Sequence, residues 1–406
     1  MIRLLKNKNF NPDSPGQIAW RKFKKDKLAM SGLIYIGLVA LVAILGPFIR
    51  PDHTPDANDQ HLVISKQQPG FSVEMLEVKL NQPPLEYSFW EKITHGGWPS
   101  DYRLVPTDSI WFSQDSVWVQ QFSSYKLPRS QVVQQSLHLA DVAFKMDSVK
   151  SSGDNFTIFQ EGNTIDKSRT DLVSEIKENH IETHRFLLGT DKYGRDLLSR
   201  LMAGAVISLS VGVIAVLISL LIGLTLGAIA GYFRGWIDEL IMWFINVVWS
   251  IPTLLLVMAI TIAFGKGFWK VFLAVGLTMW VEVARVVRGQ VMSIREKEYV
   301  EAGKALGFSD RRIILGHILP NVMSAIIVIS AANFAAAILV EAGLSFLGIG
   351  AQIPTPSWGN MIKEHYSFIT TDLAYLAILP GVLIMSLVLA FMLVGNGLRD
   401  ALDSRA

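Results

Sequence analysis

The 406 residues include no cysteine, and that absence removes disulfides, thiolate zinc sites and cysteine nucleophiles together. Charge is scarce as well: 18% of residues carry it, and 37 Lys and Arg against 35 Asp and Glu leave a net charge of +2. So small an excess is not the basic footprint of a nucleic-acid-binding protein, and no nucleic-acid partner is expected. No G-x-x-x-x-G-K-[ST] loop occurs, because "GKG" at Gly265 and "GKA" at Gly303 lack both the loop and the hydroxyl. The chain is therefore not expected to hydrolyse ATP. What is present is apolar: 50% of the residues are hydrophobic and the mean hydropathy is +0.35, a composition that reads as membrane-embedded.

Six apolar runs, roughly Leu28 to Ile49, Ile207 to Tyr232, Leu240 to Phe264, Phe268 to Val287, Val322 to Leu347 and Leu373 to Leu393, are each long enough to cross a bilayer as a helix. The expected fold class is an all-α polytopic membrane protein. Arg21, Lys22, Lys24, Lys25 and Lys27 follow Trp20 and flank Phe23 as a basic collar ahead of the first run, which places the N-terminus in the cytoplasm and the first run as a retained anchor. Arg285, Arg288, Arg295, Lys297, Lys304, Arg311 and Arg312 gather at or between the ends of runs four and five, whereas the loop between five and six holds only Lys363. That asymmetry puts both termini and the 285–320 loop inside and residues 50–185 outside. Three regions follow: 1–49, a cytoplasmic segment with the first span; 50–185, an extracytoplasmic α+β insert; and 186–406, a core holding spans two to six. Within the insert, "SVWVQQF" (Ser116 to Phe122) alternates like a strand, "SSGDNFTIFQEGN" reads as a hairpin and Asp171 to Glu178 as a helix.

Several positions carry more than one reading. Gly223, Gly227 and Gly231 recur at four-residue spacing in run two, as close helix packing or a dimer seam requires. Pro252 removes the helical partner of the Val248 carbonyl and predicts a bend in run three, for packing or to line a pathway. Glu341, late in run five, is expected near the outer side, as a gating partner or an acceptor for a ligand's ammonium; Glu282 and Arg285 are expected to anchor the inner end of run four. Asp191 with Arg195, and Asp196 with Arg200, have the spacing of surface helix pairs. His180 and His184 would share a helical face, but no third ligand is evident and "HIETH" is not H-E-x-x-H, so no metal site is expected.

The most charged stretch is "EYVEAGKALGFSDRRIILGHILPN" (Glu298 to Asn321). It predicts a short amphipathic helix with Tyr299, Ala302, Gly303 and Leu306 on one side, ended by Gly307, a second helix capped by Ser309 and Asp310, and a return to the membrane at Pro320. Such a helix could lie on headgroups or enter a partner's groove.

"EAGKALG" (Glu301 to Gly307) followed by "ILP" (Ile318 to Pro320) resembles the EAA loop of bacterial ABC importer permeases. "LLGTDKYGRDLLSRLMAGAVISLSVG" (Leu187 to Gly212), "LSFLGIG" (Leu344 to Gly350), "PTPSWGNMI" (Pro354 to Ile362), "GNGLRDALD" (Gly395 to Asp403) and the "WRKFKKDKLAMSG" start resemble, more narrowly, the second permease of the dipeptide and oligopeptide family. The resemblance implies the six-helix type I importer permease fold and a place in the bacterial cytoplasmic membrane. It implies a sister permease, two ATPase subunits that bind ATP and Mg, and an extracytoplasmic solute-binding protein as partners. Tyr299, Glu301, Ala302, Gly303, Leu306, Gly307 and Pro320 would couple to the ATPase, and Asp191, Arg195, Asp196, Pro252 and Glu341 would belong to the outer gate or path. No residue would be catalytic. Nickel or another small solute is the alternative cargo, and an ATP-independent transporter or channel the alternative class. The chain departs from the family in having Gly303 for Ala, Asn396 in "GNGLRD", and Trp243 and Asn246 where an Arg and an Asp are common.

Overall fold

The computed structural model describes residues 15–82, 85–123, 133–160, 162–265, 267–352 and 354–402; Glu161, Lys266 and Asp403, inside three of the stretches quoted above, lie outside that set. In chain order, α1 (Pro15–Lys25) and α2 (Lys27–Ile49) lead into β1 (Phe71–Lys79), α3 (Phe89–Thr94), β2 (Tyr102–Ser113), β3 (Ser116–Gln121), β4 (Gln134–His138) and α4 (Leu139–Ala143). β5 (Ser148–Ser152), β6 (Asn155–Gln160), β7 (Asn163–Ser168), α5 (Arg169–Asn179) and β8 (Ile181–Phe186) follow. The remainder is helical: α6 (Leu197–Phe233), α7 (Gly235–Trp249), α8 (Thr253–Phe264), α9 (Phe268–Arg295), α10 (Glu298–Ala305), α11 (Asp310–Ile313), a π-helical turn at Ile314–Ile318, α12 (Leu319–Phe346), α13 (Trp358–His365) and α14 (Tyr375–Leu402). The chain divides into two compact units, one of residues 1–43, 205–366 and 377–406, the other of residues 44–204 and 367–376.

In the second unit an antiparallel sheet runs β4-β3-β2-β1-β8, beside a three-stranded β5-β6-β7 sheet. Because strand side chains alternate, Leu76, Val78, Val105, Val117 and Val119 share one face, and α4, α5 and Phe156 and Ile158 of β6 complete a core there. The opposite face carries Val73, Met75 and Phe186 against Ile64. Strand, hairpin and helix stand where the alternation and turn residues place them. Gly153, at φ +64, stands in the β5–β6 turn, and Ser168 and Asp171 form a reciprocal capping box on α5.

Among the described residues, four helical stretches are long and apolar enough to cross a membrane: Lys27–Ile49, Leu197–Phe233, Asp310–Phe346 and Tyr375–Leu402. The expected third run is two helices, α7 and α8, bent by 89°. Pro252 is why: it has no N–H for the Val248 carbonyl, which instead accepts a shorter-range bond from Ile251 N at 3.3 Å. The expected fourth run, α9, has the length but not the apolarity, since every 18-residue window along it holds at least three of Lys270, Glu282, Arg285, Arg288 and Arg295. It also continues to Arg295, well past the expected Val287, because Val287 and Val291 remain buried.

The glycines of α6 are a packing seam inside the chain. A Cβ at Gly223 would lie 2.8 Å from the Trp280 carbonyl oxygen, at Gly227 2.5 Å from that of Ala284, and at Gly231 2.7 Å from that of Arg288. α9 therefore approaches α6 backbone to backbone. α2 and α14 meet in the same way at Gly32 and Ala390, with Tyr35 and Ser386 hydroxyls 2.6 Å apart.

Candidate functional site

The charged loop of residues 296–320 is built as a rigid bracket. In α10, Val300 and Gly303 are buried while Tyr299, Glu301, Ala302 and Leu306 are exposed. Val300 enters a cluster with Tyr232, Val287, Val291, Ile313, Ile318 and Val322, so the inner edge of the helix is fixed to α6, α9 and α12. Its C-terminus closes by two bonds, Phe308 N to the Gly303 carbonyl (3.1 Å) and Gly307 N to that of Lys304 (3.0 Å), with Gly307 at φ +78. That is the Schellman arrangement, and it needs glycine at 307. Phe308 then stacks on His317 (5.8 Å between centroids) under the Arg312 guanidinium.

Gly303 is not opened to the outside: a Cβ there would meet only the Phe308 ring at 3.5 Å. Ser309 occupies the cap position of α11 without a side-chain hydrogen bond, and the Asp310 carboxylate instead accepts from Tyr232 Oη at 2.5 Å. Arg234, at φ +58 in the α6–α7 turn, donates to Glu296 at 2.6 Å, which holds the Glu296 carboxyl below its usual range. Pro320 sits in the first turn of α12, directly after the π-helical turn; the missing N–H of proline is tolerated there. What remains free on α10 is a face of Tyr299, Ala302 and Leu306 at helical spacing, with Leu306 74% exposed and Glu301 beside it.

The Asp191 cluster differs from its expected form. Asp191, Arg195, Asp196 and Arg200 are all buried, and the first three precede α6 rather than lying on a helix surface. Gly189 and Gly194, both at φ +75, make the turns, and a Cβ on either would collide with the carbonyls of Gln67 and His61. Asp191 accepts from Arg195 Nε (2.6 Å), Tyr193 N (2.7 Å) and Arg195 N (3.1 Å), and Arg195 Nη1 donates to Asn58 (3.1 Å). Asp196 pairs with Ser199, N to Oδ2 at 2.8 Å, capping α6, and Arg200 donates to the Asp56 carbonyl at 2.9 Å. Burial pushes the Asp196 carboxyl above its ordinary range, against the pull of the Ser199 hydrogen bonds.

Glu341 is buried in α12, accepting from Ser345 Oγ at 2.6 Å, and the same Oγ accepts from Ala351 N at 3.2 Å. "LSFLGIG" and "PTPSWGNMI" thus fold back onto α12, with Gly359 so close that a Cβ would be 2.5 Å from the Ala342 carbonyl oxygen. Asn246 does not pair within α7; its Oδ1 accepts from Arg285 Nη2 of α9 at 3.2 Å, and the Arg285 guanidinium lies 3.5 Å from the Trp249 ring centroid. His180 and His184 are not on one helix: His180 ends α5 and His184 is in β8. Strand pairing brings Glu77 to Glu182 and His184, donor atoms within 4.8 Å of one another, a proximity that no spacing in the sequence signals.

Residues 223–406 match the family described as binding-protein-dependent transport system inner membrane component, and residues 14–84 match the N-terminal transmembrane domain of oligopeptide transport permease C. The chain is 42% identical over 217 residues, 53% of its own length and 71% of the relative's, to the glutathione transport system permease protein GsiD of Escherichia coli O6:K15:H31. The chain belongs to the inner-membrane components of binding-protein-dependent transport systems. Another member, the dipeptide transport system permease protein DppC of Alkalihalophilus pseudofirmus, is 43% identical over 217 residues, 53% of this chain and 71% of that one. Among solved structures, the methionine ABC transporter MetNI in an inward-facing conformation is 18% identical, covers 51% of this chain and 98% of its own, and superposes with a TM-score of 0.44. As an ABC importer permease the chain is a multi-pass membrane protein and a non-catalytic subunit, with ATP hydrolysis in separate partners.

Proposed function

We propose that this permease carries di- or oligopeptides across the bacterial cytoplasmic membrane, with a sister permease, two ATPase subunits that use ATP and Mg, and an extracytoplasmic binding protein. The identity to dipeptide and glutathione permeases carries this reading. Six crossings result when the bent α7–α8 pair and α9 join the four apolar stretches, leaving both termini and α10 cytoplasmic and residues 50–185 outside as a docking surface for the binding protein or sister permease. α10 is the lever. Its Tyr299, Ala302 and Leu306 face seats in a groove of the ATPase with Glu301 at the rim, while Gly303 permits close approach and Gly307 and Pro320 set the turns at its ends, so that closure on ATP moves α6, α9 and α12 together. Asp191, Arg195 and Asp196 brace the entry to α6, and Pro252 and Glu341 shape the path.

The test is to purify the chain with its partners and measure ATPase stimulation by the binding protein with peptides, glutathione or nickel. Stimulation and uptake by peptides are expected, and nickel alone stimulating would replace the cargo. Glu301→Lys is expected to leave assembly intact and abolish uptake; normal uptake by that variant rejects the lever.

A further inference from the structure

A cavity of about 190 Å³ opens at the α7–α8 break, lined by α7, α8, α9 and α12. Glu282 is the one charged side chain among its lining residues, which include Trp249, Thr253 and Thr278. The carboxylate is exposed and makes no hydrogen bond or ion pair among the described residues. It lies 14 residues after Phe268 and 13 before Arg295 in α9, about 20 Å from either end of the helix at 1.5 Å per residue. In the six-crossing arrangement proposed above α9 is a span, and a carboxylate within it faces protein or a water-filled path rather than lipid. The helix break beside it obeys the same rule, since irregular backbone at membrane depth is tolerated only where it is buried or lines a cavity.

Arg285, one turn further along α9, does not neutralise it: the guanidinium is held on the Trp249 ring and by Asn246. The C-terminus of α7 adds partial negative charge to the same cavity. We infer that this cavity is a subsite for a primary ammonium group of the cargo, with Glu282 as its acceptor, an inference that rests on the peptide-permease reading above. The volume suits one terminal group rather than a whole peptide, which needs several hundred Å³. A peptide's N-terminal ammonium is the natural occupant, and a lysine ammonium shares its chemistry.

The experiment uses the complete importer in proteoliposomes, comparing wild type with Glu282→Gln for trialanine, N-acetyl-trialanine and N-acetyl-Ala-Lys-Ala. The expected result is about a tenfold loss of uptake kcat/KM for trialanine and none for N-acetyl-trialanine. A loss for N-acetyl-Ala-Lys-Ala assigns lysine ammonium to the subsite as well; its absence restricts the subsite to the N-terminus. Equal losses for all three peptides mean that Glu282 pairs with a protein cation, and no loss for trialanine means it is idle; either result overturns the inference while leaving the permease reading standing. Failure of wild type to import any peptide removes both.

A second measurement does not depend on delivery. Thr253→Cys, on the lining of the same cavity and the sole thiol in a chain without cysteine, is expected to react with the water-soluble cation methanethiosulfonate-ethylammonium and to be protected by trialanine. A thiol that stays unreactive, or reacts without protection, overturns the inference.

Discussion

The unit of residues 44–204 and 367–376 and the helical unit solve the same packing problem with opposite materials. In the first, large apolar side chains turn inward: Leu76, Val117, Leu139, Phe156, Ile158 and Leu172 have no exposed surface. In the second, large apolar side chains such as Ile34, Leu38, Leu217, Leu221 and Met385 are exposed, while the contacts between helices are made by Gly32, Gly223, Gly227 and Gly231. Water rewards burial of apolar area, whereas lipid is as apolar as leucine and leaves close backbone approach as the main source of attraction between helices. Charge follows the same division. The first unit buries Asp191, Arg195, Asp196 and Arg200 inside polar turns; the helical unit keeps most of its charge at helix ends and exposes Glu282 to a cavity.

Four substitutions test the contrast. Asp191→Ala should have the largest effect, because it leaves the fully buried Arg195 without its carboxylate; about 3–5 kcal/mol of stability is expected to be lost, read as a lower unfolding midpoint for residues 44–204 by hydrogen exchange. Next, Leu76→Ala in the sheet core should remove about 2–5 kcal/mol, whereas Leu221→Ala on the exposed face of α6 should have little effect in bilayers; equal losses would erase the difference between the units. Gly227→Val, adding volume where the α9 backbone already touches, should destabilise by about 1–3 kcal/mol, seen as a lower midpoint of unfolding in detergent.

Gly303→Ala should work the other way. The new methyl meets only Phe308, so α10 should gain about 1 kcal/mol of helix stability with uptake retained; loss of uptake would show that coupling depends on how Phe308 packs against residue 303. The smallest effect concerns pH. The folded Asp196 carboxyl titrates above its unfolded value, so its contribution is fully present below the unfolded pKa and is lost as pH rises through the folded one. Wild type should therefore become less stable relative to Asp196→Asn between acidic and neutral pH, and a difference independent of pH would contradict this.

The apolar runs, the basic collar, the glycine spacing and the α10 turn were legible because each rests on local periodicity or on one residue's backbone geometry. The 89° break was legible in place, through Pro252, but not in size, since the angle depends on what α9 and α12 pack against it. Asp191 and Arg195 read as a surface pair because spacing alone suggests helix; Gly189 and Gly194 around them were the available signal that the segment is instead two turns. Asn246 with Arg285, and Glu77 with Glu182 and His184, were beyond reach, because each contact joins residues distant in the chain.

By itself the sequence determined that this chain lives in a bilayer, that its own residues cannot work as a P-loop motor, and that a short charged helix is set between apolar runs, since these follow from hydropathy, composition and local turn chemistry. Only tertiary structure decided which face of that helix is free, which charges are buried, and that Glu282 opens into a cavity. Those are properties of which surfaces meet, and a linear pattern states what a face is made of without saying what covers it.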